Sequence, residues 1–156
     1  MFKKYLYVFL ISMVPIIELR GAIPIAMDLY KLPIIPSFIV CIIGNILPVP
    51  IIYLFARKVL EWGSDKKVIG KLFKWFLKKG DSAGNKIMKK VGKGAFVALL
   101  LFVGIPLPGT GAWTGTLAAS FLNLDFKKTV VAVMCGVLLA GIIMMLISFG
   151  VFSFIW

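Results

Sequence analysis

The sequence predicts an all-α integral membrane protein, organised as an inverted repeat of a re-entrant helical hairpin plus one transmembrane helix, with a cytoplasmic amphipathic helix between the copies. Three observations carry this expectation. The chain is 61% hydrophobic with only six acidic residues among 156, and its mean hydropathy of +1.03 is outside the range of soluble domains. Three stretches, Leu32 to Ala56, Gly94 to Leu124 and Thr129 to Trp156, contain no Asp, Glu, Lys or Arg. Each exceeds the roughly 20 residues needed to cross a hydrocarbon core about 30 Å thick. Finally, the chain matches itself at an offset of 90: Lys3 falls on Lys93, Leu10 on Leu100, and Arg20-Gly21-Ala22 on Thr110-Gly111-Ala112. Beyond Leu29 a two-residue slip brings Gly44 onto Gly136. Two copies of a broken hydrophobic hairpin, each followed by one long apolar stretch, is an arrangement used by several membrane folds.

Taken in order, Tyr5 to Ile17 spans 13 residues. As helix that is about 20 Å, too short to cross. Pro15, Gly21 and Pro24 then interrupt the backbone ladder around Glu18 and Arg20. This N-terminus also resembles a signal peptide, but Arg20 stands where cleavage wants a small residue, so the segment is read as retained. A first crossing helix is expected over 32–55. In the second copy Ala95 to Ile105 is shorter still, and Pro106, Pro108, Gly109 and Gly111 break it. Pro removes a donor and Gly admits positive φ, so both places suit a hairpin tip. The hairpins are expected at 5–30 and 95–124, with the second crossing helix over 129–154. The whole chain, 1–156, reads as a single membrane domain: repeat 1 over 1–56, a basic loop over 57–94 and repeat 2 over 95–156.

Residues Arg57 to Lys93 hold 12 of the 18 basic residues and three of the six acidic ones, which keeps this loop cytoplasmic under the positive-inside rule. Within it, Ile69, Leu72, Phe73 and Phe76 share one helical face and Lys67, Lys71, Lys74 and Lys78 fall largely on the other, with Gly80 as a stop. This predicts an interfacial helix on an anionic leaflet. A basic loop could instead serve nucleic acid, but its aromatic residues follow the apolar face and membrane segments flank it, so no nucleic-acid partner is expected. Four plain transmembrane helices are the alternative topology. Charge does not choose, since both arrangements put 14 basic residues inside and three outside. The Pro/Gly clusters favour re-entrance, because irregular backbone at depth is tolerated only around a cavity or within protein.

Histidine is absent and the acidic residues are scattered, so no metal site is expected. There is no nucleophile–base pair, P-loop or dinucleotide fingerprint, and no enzyme activity or cofactor is expected. Cys41 and Cys135 read as small packing residues. The candidate substrate-binding residues are Glu18, Arg20 and Gly21 from the first tip, and Pro108, Gly109, Thr110, Gly111 and Thr114 from the second. Spacing i, i+2 does not bring Glu18 and Arg20 together on a helix, and charge within apolar sequence is by default a functional signal, with a structural ion pair as the other reading. Arg20 offers a planar fork of donors to an anion, and Glu18 is the candidate proton-coupling carboxylate. After Gly111 a new half-helix presents free N–H groups suited to phosphate or carboxylate; the alternative is that the glycines only permit a tight turn. Trp62 and Trp113 read as interface or packing aromatics. Gly136 and Ala140 mark helix packing and are one candidate contact in an expected homodimer.

ELRGAIP and PLPGTGAWTG, with the short length and basic central loop, resemble the bacterial small multidrug export protein family, a distant relative of the DedA/VTT membrane proteins. The resemblance implies re-entrant hairpins in inverted repeats and a transport role in the cell (inner) membrane. By analogy, DedA proteins imply translocation of polyprenyl phosphate or phospholipid, often linked to the proton gradient, with their first-hairpin acid at Glu18. Their pair of arginines in the second hairpin has no counterpart, since residues 95–124 contain none. The leading expectation is therefore a transporter of an anionic amphiphile. An exporter of lipophilic cations and a non-transporting membrane scaffold are the alternatives.

Overall fold

The computed structural model describes residues 1–66, 70–91 and 94–155, and every regular element among them is helical. Helix α1 (Phe2–Met13) stops because Pro15 drives Val14 out of the helical region, to φ −71° and ψ 130°. Helix α2 (Glu18–Pro24) follows, then a wide turn over Ile25–Leu29, where the Tyr30 amide reaches back five residues to the Ile25 carbonyl at 3.1 Å. Helices α3 (Ile34–Ile46) and α4 (Pro48–Ser64) run on from one another across Leu47, where Pro48 removes one amide from the ladder. Together they form a helix of 31 residues, Ile34–Ser64, with an apolar window long enough to cross a membrane. The sequence placed this span's end at 55; it continues to Ser64, carried past the apolar stretch by an Arg57–Glu61 pair one turn apart at 2.9 Å. Helices α6 (Gly94–Gly104) and α7 (Ala112–Phe121) are short, and α8 (Phe126–Ile155) contains the second long apolar span, Phe126–Ser148.

Helix α1 packs on α3 as α6 packs on α8, while α2 lies against both α3 and α8, and α7 against both α4 and α8. Glycine makes the first two contacts close. A Cβ on Gly44 would stand 2.7 Å from the Phe9 carbonyl oxygen of α1, and one on Gly136 would stand 2.7 Å from the Leu100 carbonyl oxygen of α6. These are the two glycines that the internal repeat aligns. Ala140 is also buried, so the Gly136–Ala140 stripe is consumed inside the chain and is not the surface that the expected dimer contact requires. The core between the layers is apolar, with Val8, Leu19, Ala22, Cys41, Val49, Val103, Val133 and Val137 inaccessible or nearly so.

The basic helix departs from expectation in one respect. Helix α5 (Gly70–Val91) runs for 22 residues straight through Gly80. Gly80 does not stop it. A side chain there would collide with the Phe121 carbonyl, and one at Gly84 would collide with the Leu122 carbonyl. The two glycines, one turn apart, seat α5 against the turn between α7 and α8. Phe73 packs over Gly63, and Asp81 pairs with Arg57 of α4 at 3.2 Å. Lys71, Leu72, Lys74, Trp75, Phe76 and Lys78 remain exposed. Lys67 and Ile69 of the expected amphipathic pattern, Lys93 of the repeat alignment and the terminal Trp156 lie outside the described residues.

Candidate functional site

The two broken segments meet, and the meeting is polar. Glu18 begins α2 at φ +51°, a left-handed conformation that a glutamate adopts only when surroundings hold it there. Its carboxylate is buried, with the residue 4% exposed, and it accepts from the Trp113 amide at 3.1 Å and the Ala112 amide at 3.3 Å. These are the first amides of α7, so Glu18 both satisfies open donors and places negative charge at the positive end of the helix dipole. Gly111 makes room for it: a Cβ there would sit 2.7 Å from the carboxylate carbon, and its φ of +144° suits glycine.

Arg20, two residues further along α2 and so pointing away from Glu18, serves the opposite pole. Its Nη1 donates to the Leu107 carbonyl at 2.6 Å, and its Nη2 to the carbonyls of Val103 at 3.2 Å and Ile105 at 3.3 Å. These carbonyls end α6 and begin the second tip, where the helix dipole is negative; Ile105 and Leu107 also accept from the Leu107 and Thr110 amides, at 2.8 and 3.2 Å. Nη2 also donates to the Thr110 hydroxyl at 2.9 Å, and that hydroxyl in turn donates toward Leu107 and Ile105 carbonyls at 2.8 and 3.0 Å. Glu18 and Arg20 are thus not each other's hydrogen-bond partners. Each charge of the first tip neutralises one helix end of the second.

The grip is returned. Trp113, second residue of α7, donates from its indole Nε1 to the Met13 carbonyl at 3.0 Å, which covers the C-terminal end of α1. Expected from the sequence as an interface or packing aromatic, Trp113 supplies two donors to the contact. Its signal was its place two residues after Gly111, where a new helix has open amides.

Of the eight candidate residues, the fold brings Glu18, Arg20, Thr110 and Gly111 together. Gly21 faces its own helix, where a Cβ would meet Ile17 at 2.6 Å. Pro108 and Gly109 form the exposed apex of the second tip, and the exposed Thr114 turns its hydroxyl back to the Gly111 carbonyl at 3.4 Å. Asn45 was missed altogether. It is 1% exposed on α3, and its side-chain oxygen has no hydrogen-bond partner among the described residues. A lone amide in a charge-free apolar stretch, three residues before a proline, was the available signal.

Two long apolar helices flanking a charged, buried junction of broken helices define an all-α membrane protein. The family described as "Putative small multi-drug export protein" matches residues 18–143, a span that opens on Glu18 and contains both tips, and the chain belongs to that family. No curated protein and no solved structure matches the chain.

Proposed function

We propose that the protein is a transporter of the cell (inner) membrane in which the junction of the two tips is the translocation site and its closed gate. The observation that carries this reading is the buried Glu18 carboxylate on the Trp113 and Ala112 amides. Those amides form a site complementary to an anion, and in this state the chain fills it with its own carboxylate, while the Arg20 guanidinium is engaged by the carbonyls that end α6 and by Thr110. Protonation of Glu18 removes the charge that α7 holds. The amides then become available to a phosphate, and the proton and the anionic substrate occupy the site together. The substrate class is an anionic amphiphile such as a polyprenyl phosphate or phospholipid.

Re-entrant hairpins in an inverted repeat support such a site. Helix α1 has 12 residues and α6 has 11, about 18 and 16 Å, short of a bilayer core. The matched close approaches at Gly44 and Gly136 favour two copies of one unit, and one crossing per unit reverses the second copy.

The family's description favours a second reading, export of lipophilic cations with Glu18 as the exchanging carboxylate. Reconstituted vesicles separate the two. Arg20→Ala abolishes movement of a fluorescent lipid phosphate on the first reading. On the second it spares efflux of a lipophilic cation, which Glu18→Gln stops. A cellular phenotype that loss of the chain causes, but that both variants leave intact, would favour the reading as a non-transporting scaffold.

A further inference from the structure

Helices α4 and α7 enclose a groove of about 610 Å³ on the outer face of the protein, its lining apolar throughout. It runs from Pro48 to Leu60, about 18 Å along α4 at 1.5 Å per residue. Its far end reaches Trp113, whose indole is fixed by Met13, so the groove begins beside the buried Glu18. Its near end lies at Val59, Leu60 and Phe121, where the basic helix α5 docks.

That near end has a particular chemistry. Phe55, Val59 and Trp62 follow one another at helical spacing on α4, and the Lys66 ammonium stands 4.3 Å from the Trp62 ring centre. From Phe121 a second line leads away. Phe76 meets it edge-on at 5.9 Å, Trp75 meets Phe76 at 5.1 Å, and the Lys79 ammonium lies 5.3 Å from the Trp75 ring centre. Both tryptophans and both lysines are exposed. An apolar channel whose mouth carries two exposed tryptophan–lysine pairs matches a lipid lying lengthwise: tryptophan seeks the headgroup level, and lysine extends its charge toward anionic headgroups.

We infer that the α4/α7 groove seats the hydrocarbon chain of an anionic membrane lipid, with Lys66 and Lys79 at its headgroup. The inference shares the anionic-amphiphile reading of the tip junction but concerns equilibrium binding at a different face.

The full chain, reconstituted into vesicles of phosphatidylglycerol or phosphatidylcholine doped with the same lipid carrying a photoactivatable diazirine on its acyl chain, provides the test. Peptides spanning Ile51–Leu60 and Leu117–Phe121 should be labelled well above the equally exposed outer face of α8 at Val131, Leu138 and Ile142. Phosphatidylglycerol should label them on the order of tenfold more than phosphatidylcholine, and Lys66→Gln with Lys79→Gln should remove that preference. Leu117→Trp, or Val59→Trp should the first fold poorly by circular dichroism, fills the groove and should abolish the excess. Labelling equal to that of α8, no preference for the anionic lipid, or a cross-link between copies through Phe55→Cys would each overturn the inference. Strong groove labelling in vesicles that show no lipid movement would uphold this seat while sinking the lipid-transport reading, so the two fail separately.

Discussion

Arg20 and Thr110, hydrogen-bonded at 2.9 Å, are separated in the chain by 90 positions, the same offset at which the two halves align. Residues related by a two-fold axis touch only near that axis, so this contact marks where an axis relating the tips would pass. Around it the roles alternate. Arg20 covers the end of α6 and Trp113 covers the end of α1.

Glu18→Gln keeps an acceptor for the α7 amides but removes the charge. A charge-assisted hydrogen bond contributes about 1.5–3 kcal/mol, so Gln should lower stability by about 1–2 kcal/mol, and Ala by more, because it also empties the cavity beside Gly111. Thermal unfolding in mild detergent, followed by circular dichroism, reads both. Equal midpoints for Gln and wild type would remove the helix-end role.

Gly111→Ala should be among the most damaging single-methyl changes, since the added carbon meets both a positive φ and the Glu18 carboxylate. Gly109→Ala is the control: its φ is +80°, but nothing lies within 4 Å of an added Cβ. In a double-mutant cycle, Glu18→Ala should recover part of the Gly111→Ala loss, on the order of 1 kcal/mol, while leaving Gly109→Ala unchanged.

Topology decides between hairpins and four plain crossings. With Cys41 and Cys135 replaced by Ala, Phe2→Cys should react with a membrane-impermeant maleimide on intact cells. Protection until lysis would place the N-terminus with the basic loop and end the inverted-repeat reading.

Gly84→Leu should lever α5 from the α7–α8 turn, because the new side chain meets the Leu122 carbonyl. Limited trypsin digestion should then cut faster at Lys86 and Lys89, several-fold relative to wild type. Unchanged digestion would mean that α5 is held elsewhere, for instance by Arg57 and Asp81.

The breaks in the helices and the long spans were legible because proline, glycine and uninterrupted apolar sequence act locally. The importance of Glu18 and Arg20 was legible too, since charge in such sequence demands a partner. The partner itself was not: i, i+2 spacing says only that the two charges diverge, and the helix ends they serve are assembled from residues 103–113. Gly80 shows the limit from the other side. A glycine after a lysine-rich turn looks like a helix stop, and only the approach of the Phe121 carbonyl reveals a packing surface. Asn45 stood out in the sequence as a lone amide in an apolar stretch, but that its side-chain oxygen is buried without a partner follows from the fold and not from the residue.

Because the first tip's charges find their partners only in the second, the order of synthesis matters. Glu18 and Arg20 leave the ribosome long before Val103 to Trp113 exist. Each would cost about 2.5–3.5 kcal/mol if left at the bilayer centre. On the proposed membrane placement, the opening segment has to wait at the interface, in the insertion machinery or against a chaperone, until nearly three quarters of the chain has been made (113 of 156 residues). A nascent chain stalled within the basic loop is an orphaned half, and it should be recognised and degraded as one.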